Sequence, residues 1–134
     1  MPVTRDDTVP LQSSQDVVIA RQLVRTRAAE LGFSLVDQTK IVTAASELAR
    51  NALEHGGGGS CRVECVLDGM RKGLRLVFED QGPGIPDVAL AMTDGYTSGN
   101  GMGLGLSGSK RLVNEFNIVT KVGEGTRVTV VKWK

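Results

Sequence analysis

Between Gly95 and Gly108 the chain reads Gly-Tyr-Thr-Ser-Gly-Asn-Gly-Met-Gly-Leu-Gly-Leu-Ser-Gly, six glycines in fourteen residues, with no charge before Lys110. Glycine loses more backbone freedom on folding than any other residue, about 0.5–1 kcal/mol relative to alanine in regular structure. A run this dense therefore divides the chain into a part before it and a part after it. It suits backbone that takes positive φ or lies against a ligand. The segment Lys110-Arg-Leu-Val-Asn-Glu-Phe116 that follows reads as helix. A glycine loop feeding a helix start offers unpaired N–H groups and the positive end of the dipole to an anion. The first expectation is a phosphate-binding loop.

The length, 134 residues, fits one domain with a sizeable core, so residues 1–134 are read as a single unit. Sixteen basic residues balance fifteen acidic ones, which argues against a broad electrostatic footprint for nucleic acid. No apolar run approaches the roughly 18 residues that span a bilayer, and no signal-peptide core opens the chain. A cytoplasmic protein is expected, with neither membrane nor nucleic acid as partner. Cys61 and Cys65 lie four apart in an alternating segment without a histidine nearby. They read as buried small hydrophobes, not as a metal or redox pair.

Residues 1–7 read as a loose tail, and Val9-Pro-Leu-Gln12 as a short edge strand, where proline is tolerated. Ser14 or Asp16 can cap a helix through Leu31, with Ala20, Leu23, Val24, Ala28 and Leu31 on one face and Gly32 as its stop. Ser34, with Asp37 three residues on, opens a second helix in capping-box fashion. Ile41, Ala44, Ala45, Leu48, Ala52 and Leu53 carry it to Gly56-Gly-Gly-Gly59, read as a C-cap and a loop into a strand. A hairpin follows: Cys61, Val63, Cys65 and Leu67 alternate with polar residues, Asp68 to Gly73 turns, and Leu74, Leu76 and Phe78 return in phase. Gln81-Gly-Pro-Gly-Ile-Pro86 breaks the strand and a short helix runs to Met92. After the glycine stretch, Ile118–Val122 and Thr126–Trp133 close the chain as a second hairpin about Gly123-Glu-Gly125. The order implies an α+β two-layer sandwich with a mixed, mostly antiparallel sheet and helices on one face.

Four groups of residues can carry chemistry. Gly103-Leu-Gly-Leu-Ser-Gly108 is literally G-x-G-x-x-G, but no strand precedes it, so a dinucleotide fold fails on context; a Walker loop fails for want of Gly-Lys-Ser/Thr. Glu47, Asn51 and His55 recur every fourth residue on one helix face. A carboxylate one turn before an amide can act as base beside a magnesium ligand, and a solvated polar face would have the same spacing. Asp80 falls in the apolar phase of its strand, ahead of Gly82 and Gly84. A carboxylate there is costly unless something binds it, and an exocyclic amine such as adenine's would do so. The alternative is a strand-ending Asp that turns back on its own backbone. Gly123-Glu-Gly125-Thr126 is by itself a plain hairpin turn.

In order, Glu47-x-x-x-Asn51, Asp80-x-Gly82-x-Gly84, Gly101-x-Gly103-Leu-Gly105-Leu and Gly123-x-Gly125-Thr126 resemble the N, G1, G2 and G3 boxes of the GHKL ATPase superfamily, the Bergerat fold, with no break in any box. The resemblance spans nearly the whole chain. Ser46-Glu-Leu-Ala-Arg-Asn51, Glu79-Asp-Gln-Gly-Pro-Gly-Ile-Pro86 and Lys110-Arg-Leu-Val-Asn-Glu-Phe116 are similar to the small anti-sigma-type serine/threonine kinases of stressosome and partner-switching pathways. That resemblance implies ATP and Mg²⁺ as cofactors. It implies Asp80 on the adenine amine, with Gly82, Gly84, Ile85 and Thr126 around the base. It implies Asn51 on Mg²⁺ together with the phosphates, and Glu47 as the base for an acceptor hydroxyl. About 93–103 would be an ATP lid, with Thr97, Ser98, Gly101, Met102, Gly103, Leu104, Gly105 and Leu106 against the nucleotide. His55 receives no role.

The function so implied is phosphorylation of serine or threonine on a STAS-domain antagonist or scaffold protein. The free kinase would activate a PP2C-type phosphatase or bind a sigma factor. One alternative is a nucleotide-gated binding switch with little catalysis. Another is a detached histidine-kinase catalytic domain, which acid-labile phosphoprotein would reveal.

Overall fold

The structure, a computed structural model, describes residues 2–93 and 105–134. Five strands form one sheet in the order β1-β2-β3-β5-β4: β1 (Val3–Leu11), β2 (Gly59–Asp68), β3 (Arg71–Asp80), β4 (Glu115–Lys121) and β5 (Gly125–Trp133). Each of the four neighbouring pairs is antiparallel, so the sheet is not mixed. The long helices α1 (Ser14–Glu30) and α2 (Leu35–Glu54), the single-turn α3 (Val88–Ala91) and the short α4 (Gly105–Arg111) complete the fold.

The core lies between the sheet and the α1–α2 pair. Ala20, Val24 and Ala28 of α1 and Ile41, Ala45, Leu48, Ala49 and Ala52 of α2 pack with Cys61, Val63, Leu74, Leu76, Phe78, Val128 and Val130 of the sheet. Alanine spaced along α2 lets that helix lie close to the strands, where Leu74, Leu76 and Phe78 fill the space beneath it. The alternation expected of β2 and β3 holds over 61–63 and 74–79, with Arg62 and Glu79 exposed on the opposite face, but Val66 on that face is buried and Leu67 is only half-buried. Glu64 on that face is nevertheless buried, held by Arg75 at 2.7 Å. Cys61 and Cys65 are free thiols in the core, and burial pushes Cys61 up to about 12.

Several boundaries differ from the sequence expectation. Residues 3–7 belong to the edge strand instead of a tail. The reason is Asp7, whose carboxylate takes Nε and Nη2 of the buried Arg27 on α1 at 3.2 and 3.1 Å, while Glu30 takes Nη1 at 3.0 Å. A strand with so many charges is recruited by an ion pair, not by its own apolar pattern. The α1 cap is Ser13, with Asp16 returning its carboxylate to Gln12 N–H at 2.9 Å. Ser34 caps α2 as expected, accepting from Asp37 N–H. The β2–β3 turn is only Gly69-Met70, with Gly69 at φ 61°, so β3 starts at Arg71. The helix expected over 110–116 stops at Arg111, and Glu115 and Phe116 open β4. Asn114 forces that ending: its N–H reaches Val131 O at 2.9 Å and its Oδ1 accepts Trp133 N–H at 2.8 Å. Val122 sits exposed in the β4–β5 turn.

Sheet order positions the site. β5 enters between β3 and β4, so the end of β3 meets the start of β5. One transverse row then reads Leu11, Gly59, Asp80, Thr126, Thr120, each residue in register with the next.

Candidate nucleotide site

A cavity of about 940 Å³ opens between α2 and this end of the sheet. That is the size of a site for a drug-sized or nucleotide ligand. Its apolar walls include Leu48, Ala52, Phe78, Ile85, Leu106 and Val128, and its polar groups gather at two ends.

At the sheet end Asp80 projects from the helix-facing side of β3, the phase read from its strand. It is half-buried, and Oδ1 accepts the N–H of Gly82 at 2.9 Å. The cost expected for an isolated buried carboxylate is thereby reduced: Asp80 has a backbone donor and faces open cavity. Gly56, at the end of α2, packs directly on it. A Cβ at Gly56 would stand 2.3 Å from Asp80 Cγ, and one at Gly82 would stand 2.6 Å from Gly56 Cα. The tetraglycine is thus more than a cap and loop, because its first glycine is a wall of the site. Gly84, at φ 78°, would press a Cβ to 2.5 Å from Lys121 O. Its lack of a side chain is required by the approach of β4 as well as by any ligand.

The loop carrying these glycines is stapled to the β4–β5 hairpin. Gly123 N–H donates to Pro83 O at 2.8 Å, and Ile85 N–H donates to Thr120 Oγ1 at 2.9 Å. Thr120 Oγ1 lies 2.8 Å from Thr126 Oγ1, and Thr126 lines the cavity beside Asp80.

At the helix end Glu47, only 7% exposed, holds Gly105 N–H on Oε1 at 3.2 Å and Arg50 Nη1 on Oε2 at 3.3 Å. Asn51 follows one turn later and lines the same cavity. A hard divalent cation takes oxygen donors and keeps phosphate oxygens and waters among its ligands. One carboxamide beside a carboxylate, facing space for phosphates, fits magnesium on those terms. Among the described residues no cluster of three His, Cys, Asp or Glu could hold a metal without such help.

Of the residues singled out from sequence, Glu47, Asn51, Asp80, Gly84, Ile85, Gly105, Leu106 and Thr126 line this one cavity, and Gly82 supports Asp80 from behind. Thr97, Ser98, Gly101, Met102, Gly103 and Leu104, and the lid beyond Thr93, lie outside the described residues. His55 also lines the cavity. Sequence reasoning missed Gly56, Thr120 and Arg50. Only Gly56 carried a signal, as the glycine nearest the end of the Glu47–Asn51 helix.

A helix presenting carboxylate and amide to a cavity whose far end is closed by a strand-borne aspartate and a glycine loop describes a class of ATP-using folds. The profile of the histidine kinase-, DNA gyrase B- and HSP90-like ATPases matches residues 36–134, and the chain belongs to that family. It is 49% identical to the serine/threonine-protein kinase RsbT of Bacillus subtilis (strain 168), over 93% of this chain and 94% of that one. It is 30% identical to an anti-sigma F factor of Clostridium novyi (strain NT), over 91% of this chain and 89% of that one. Among solved structures, the RsbU and RsbW domains of Rv1364c from Mycobacterium tuberculosis superpose with a TM-score of 0.66 at 24% identity, covering 100% of this chain and 33% of that one. That last likeness is one of fold. No helix among the described residues is long and apolar enough to cross a membrane.

Proposed function

We propose that the cavity binds Mg-ATP with the adenine at Asp80 and the phosphates toward Glu47 and Asn51, and that the γ-phosphoryl group passes to a serine or threonine hydroxyl of a partner protein. The chain is a serine/threonine protein kinase of the partner-switching kind, as its relationship to RsbT and to the anti-sigma F factors indicates. The observation that carries the nucleotide reading is the pairing of Asp80 with Thr126 at one end of a cavity whose other end holds Glu47 and Asn51 one helical turn apart.

The Asp80 side chain, an acceptor toward Gly82 N–H, suits the C6 amino group of adenine and disfavours a carbonyl at that position. The apolar walls stack and desolvate the ring. Asn51 would hold the magnesium ion, which supplies charge neutralisation at the phosphate oxygens. In the transfer, the acceptor oxygen forms a bond to the γ-phosphorus as the bond from that phosphorus to the β-bridging oxygen breaks. ADP leaves, and the hydroxyl proton goes to the Glu47 carboxylate. Arg50 Nη1, 3.3 Å from Glu47 Oε2, holds that carboxylate in place. Positioning does most of the work in such a reaction.

The acceptor is a STAS-domain antagonist or scaffold, and the released kinase engages a PP2C-type phosphatase or a sigma factor in the cytoplasm; the support is the kinship with partner-switching proteins. The test is phosphorylation of a purified STAS-domain partner from radiolabelled Mg-ATP. Acid-stable, alkali-labile label is expected. Acid-labile label would mark histidine transfer and overturn the acceptor assignment.

A further inference from the structure

Thr120 stands one strand behind the cavity wall, yet three site contacts meet at its hydroxyl. A threonine hydroxyl has one proton and two lone pairs. At Thr120, Ile85 N–H donates into one lone pair at 2.9 Å. Gly125 O, 3.2 Å away, can only accept, so that contact takes the proton. The remaining lone pair faces Thr126 Oγ1 at 2.8 Å, and only a proton from Thr126 can complete it. All three contacts are satisfied together in this frame alone. Thr126 has then spent its proton on Thr120 and turns lone pairs toward the cavity, beside the Asp80 carboxylate to which it is paired across the sheet. The base end becomes an acceptor-only wall.

We propose that Thr120 is a positioning and specificity-determining residue. Its hydroxyl holds Thr126 as an acceptor toward the base and ties down the Ile85 loop, so that the cavity takes a 6-aminopurine nucleotide over a 6-oxopurine one. The inference rests on the adenine reading above and extends it to a residue that does not touch the ligand. An amino group meets two acceptors, whereas a ring carbonyl meets the same two with repulsion. Without Thr120 the Thr126 proton is released to rotate and can serve a carbonyl.

The test is calorimetric titration of the full chain with Mg-ATP and with Mg-GTP. Thr120→Val keeps shape and strand preference. It is expected to weaken ATP about 5- to 10-fold, the loss of roughly one net hydrogen bond, with GTP bound no more weakly than by wild type, so the ATP:GTP ratio falls by at least that factor. Thr120→Ser is expected to restore the wild-type ratio. In a Thr126→Val background Thr120→Val is expected to add less than about twofold, since residues acting through one another are not additive. A wild-type ratio in Thr120→Val, or full additivity with Thr126→Val, overturns the proposal. Thr120→Ala carries the same expectation should the valine protein not fold. Asp80→Asn separates the two levels. If it loses ATP while Thr120→Val behaves as wild type, only the Thr120 role falls. If it binds ATP normally, the adenine reading falls and takes this inference with it.

Discussion

The two ends of the cavity are built differently. At the sheet end, Asp80, Thr126 and Thr120 sit on three neighbouring strands in register, and the Gly82–Ile85 loop is tied to them through Gly82, Ile85 and Gly123 amides. Positions there are over-determined by backbone pairing. At the helix end, Glu47 and Asn51 stand on one helix, and Glu47 is linked to the start of α4 by a side-chain hydrogen bond from Gly105 N–H. That contact sets a carboxylate oxygen on an amide that the family resemblance assigns to the nucleotide. One end is suited to recognising a fixed shape; the other is suited to exchanging partners as charge arrives and leaves. On the proposed reading, recognition is placed on rigid elements and chemistry on a replaceable contact.

Substitutions can break this division of labour. The largest effect is expected of Glu47→Gln, a fall in phosphoryl transfer on the order of 10²- to 10⁴-fold, the usual weight of a positioned base. Nucleotide affinity should change little, because the base end is untouched. A transfer assay paired with calorimetry checks both, and a large loss of affinity would erase the distinction between the ends. Asp80→Asn should do the reverse, weakening Mg-ATP by about 30- to 100-fold through loss of a charge-assisted hydrogen bond. Its thermal stability without nucleotide should stay near wild type, since Gly82 can still donate to the amide oxygen.

Gly56→Ala sharpens the comparison from the junction of the two ends. Its Cβ would fall 2.3 Å from Asp80 Cγ, so overpacking should cost about 1–3 kcal/mol. Denaturant unfolding should show that loss together with weakened ATP binding. Gly57→Ala is a different control: a Cβ there meets nothing within 4 Å, and only φ 73° opposes it. The smallest effect lies away from the site. The folded Cys61 thiol is pushed up from 9.0 to about 12, and the unfolded thiol ionises first. Its contribution to stability is therefore complete below pH 9 and is lost as pH rises toward about 12. Native protein at pH 8 should resist alkylation at Cys61 until denaturant is added.

Much of this architecture was legible because it is written in short-range patterns. The faces of α1 and α2, the cap at Ser34 and the alternation of β2 and β3 all need only neighbours within a few residues. The phase of Asp80 is local in the same sense, and the structure places that carboxylate in the cavity wall. Glu47 and Asn51 were legible as a pair because a helix turn sets their spacing. Tertiary structure decided the rest. Residues 3–7 looked like a tail until Arg27 supplied a partner for Asp7. The helix read over 110–116 gave way to β4, because Asn114 and the inward-facing Phe116 had a strand to join.

The order of the strands, with β5 between β3 and β4, has no local signature at all. Yet it alone brings Thr126 and Thr120 beside Asp80, and helix α2 alone brings Gly56 against it. Periodicity reports which face of an element is apolar, and so it determined the layers and the phase of Asp80, while the glycine boxes were read from the family resemblance. Which strand pairs with which is set by burying all those faces at once, a property of the folded whole. The cavity and the hydroxyl network behind it therefore exist only in the tertiary structure.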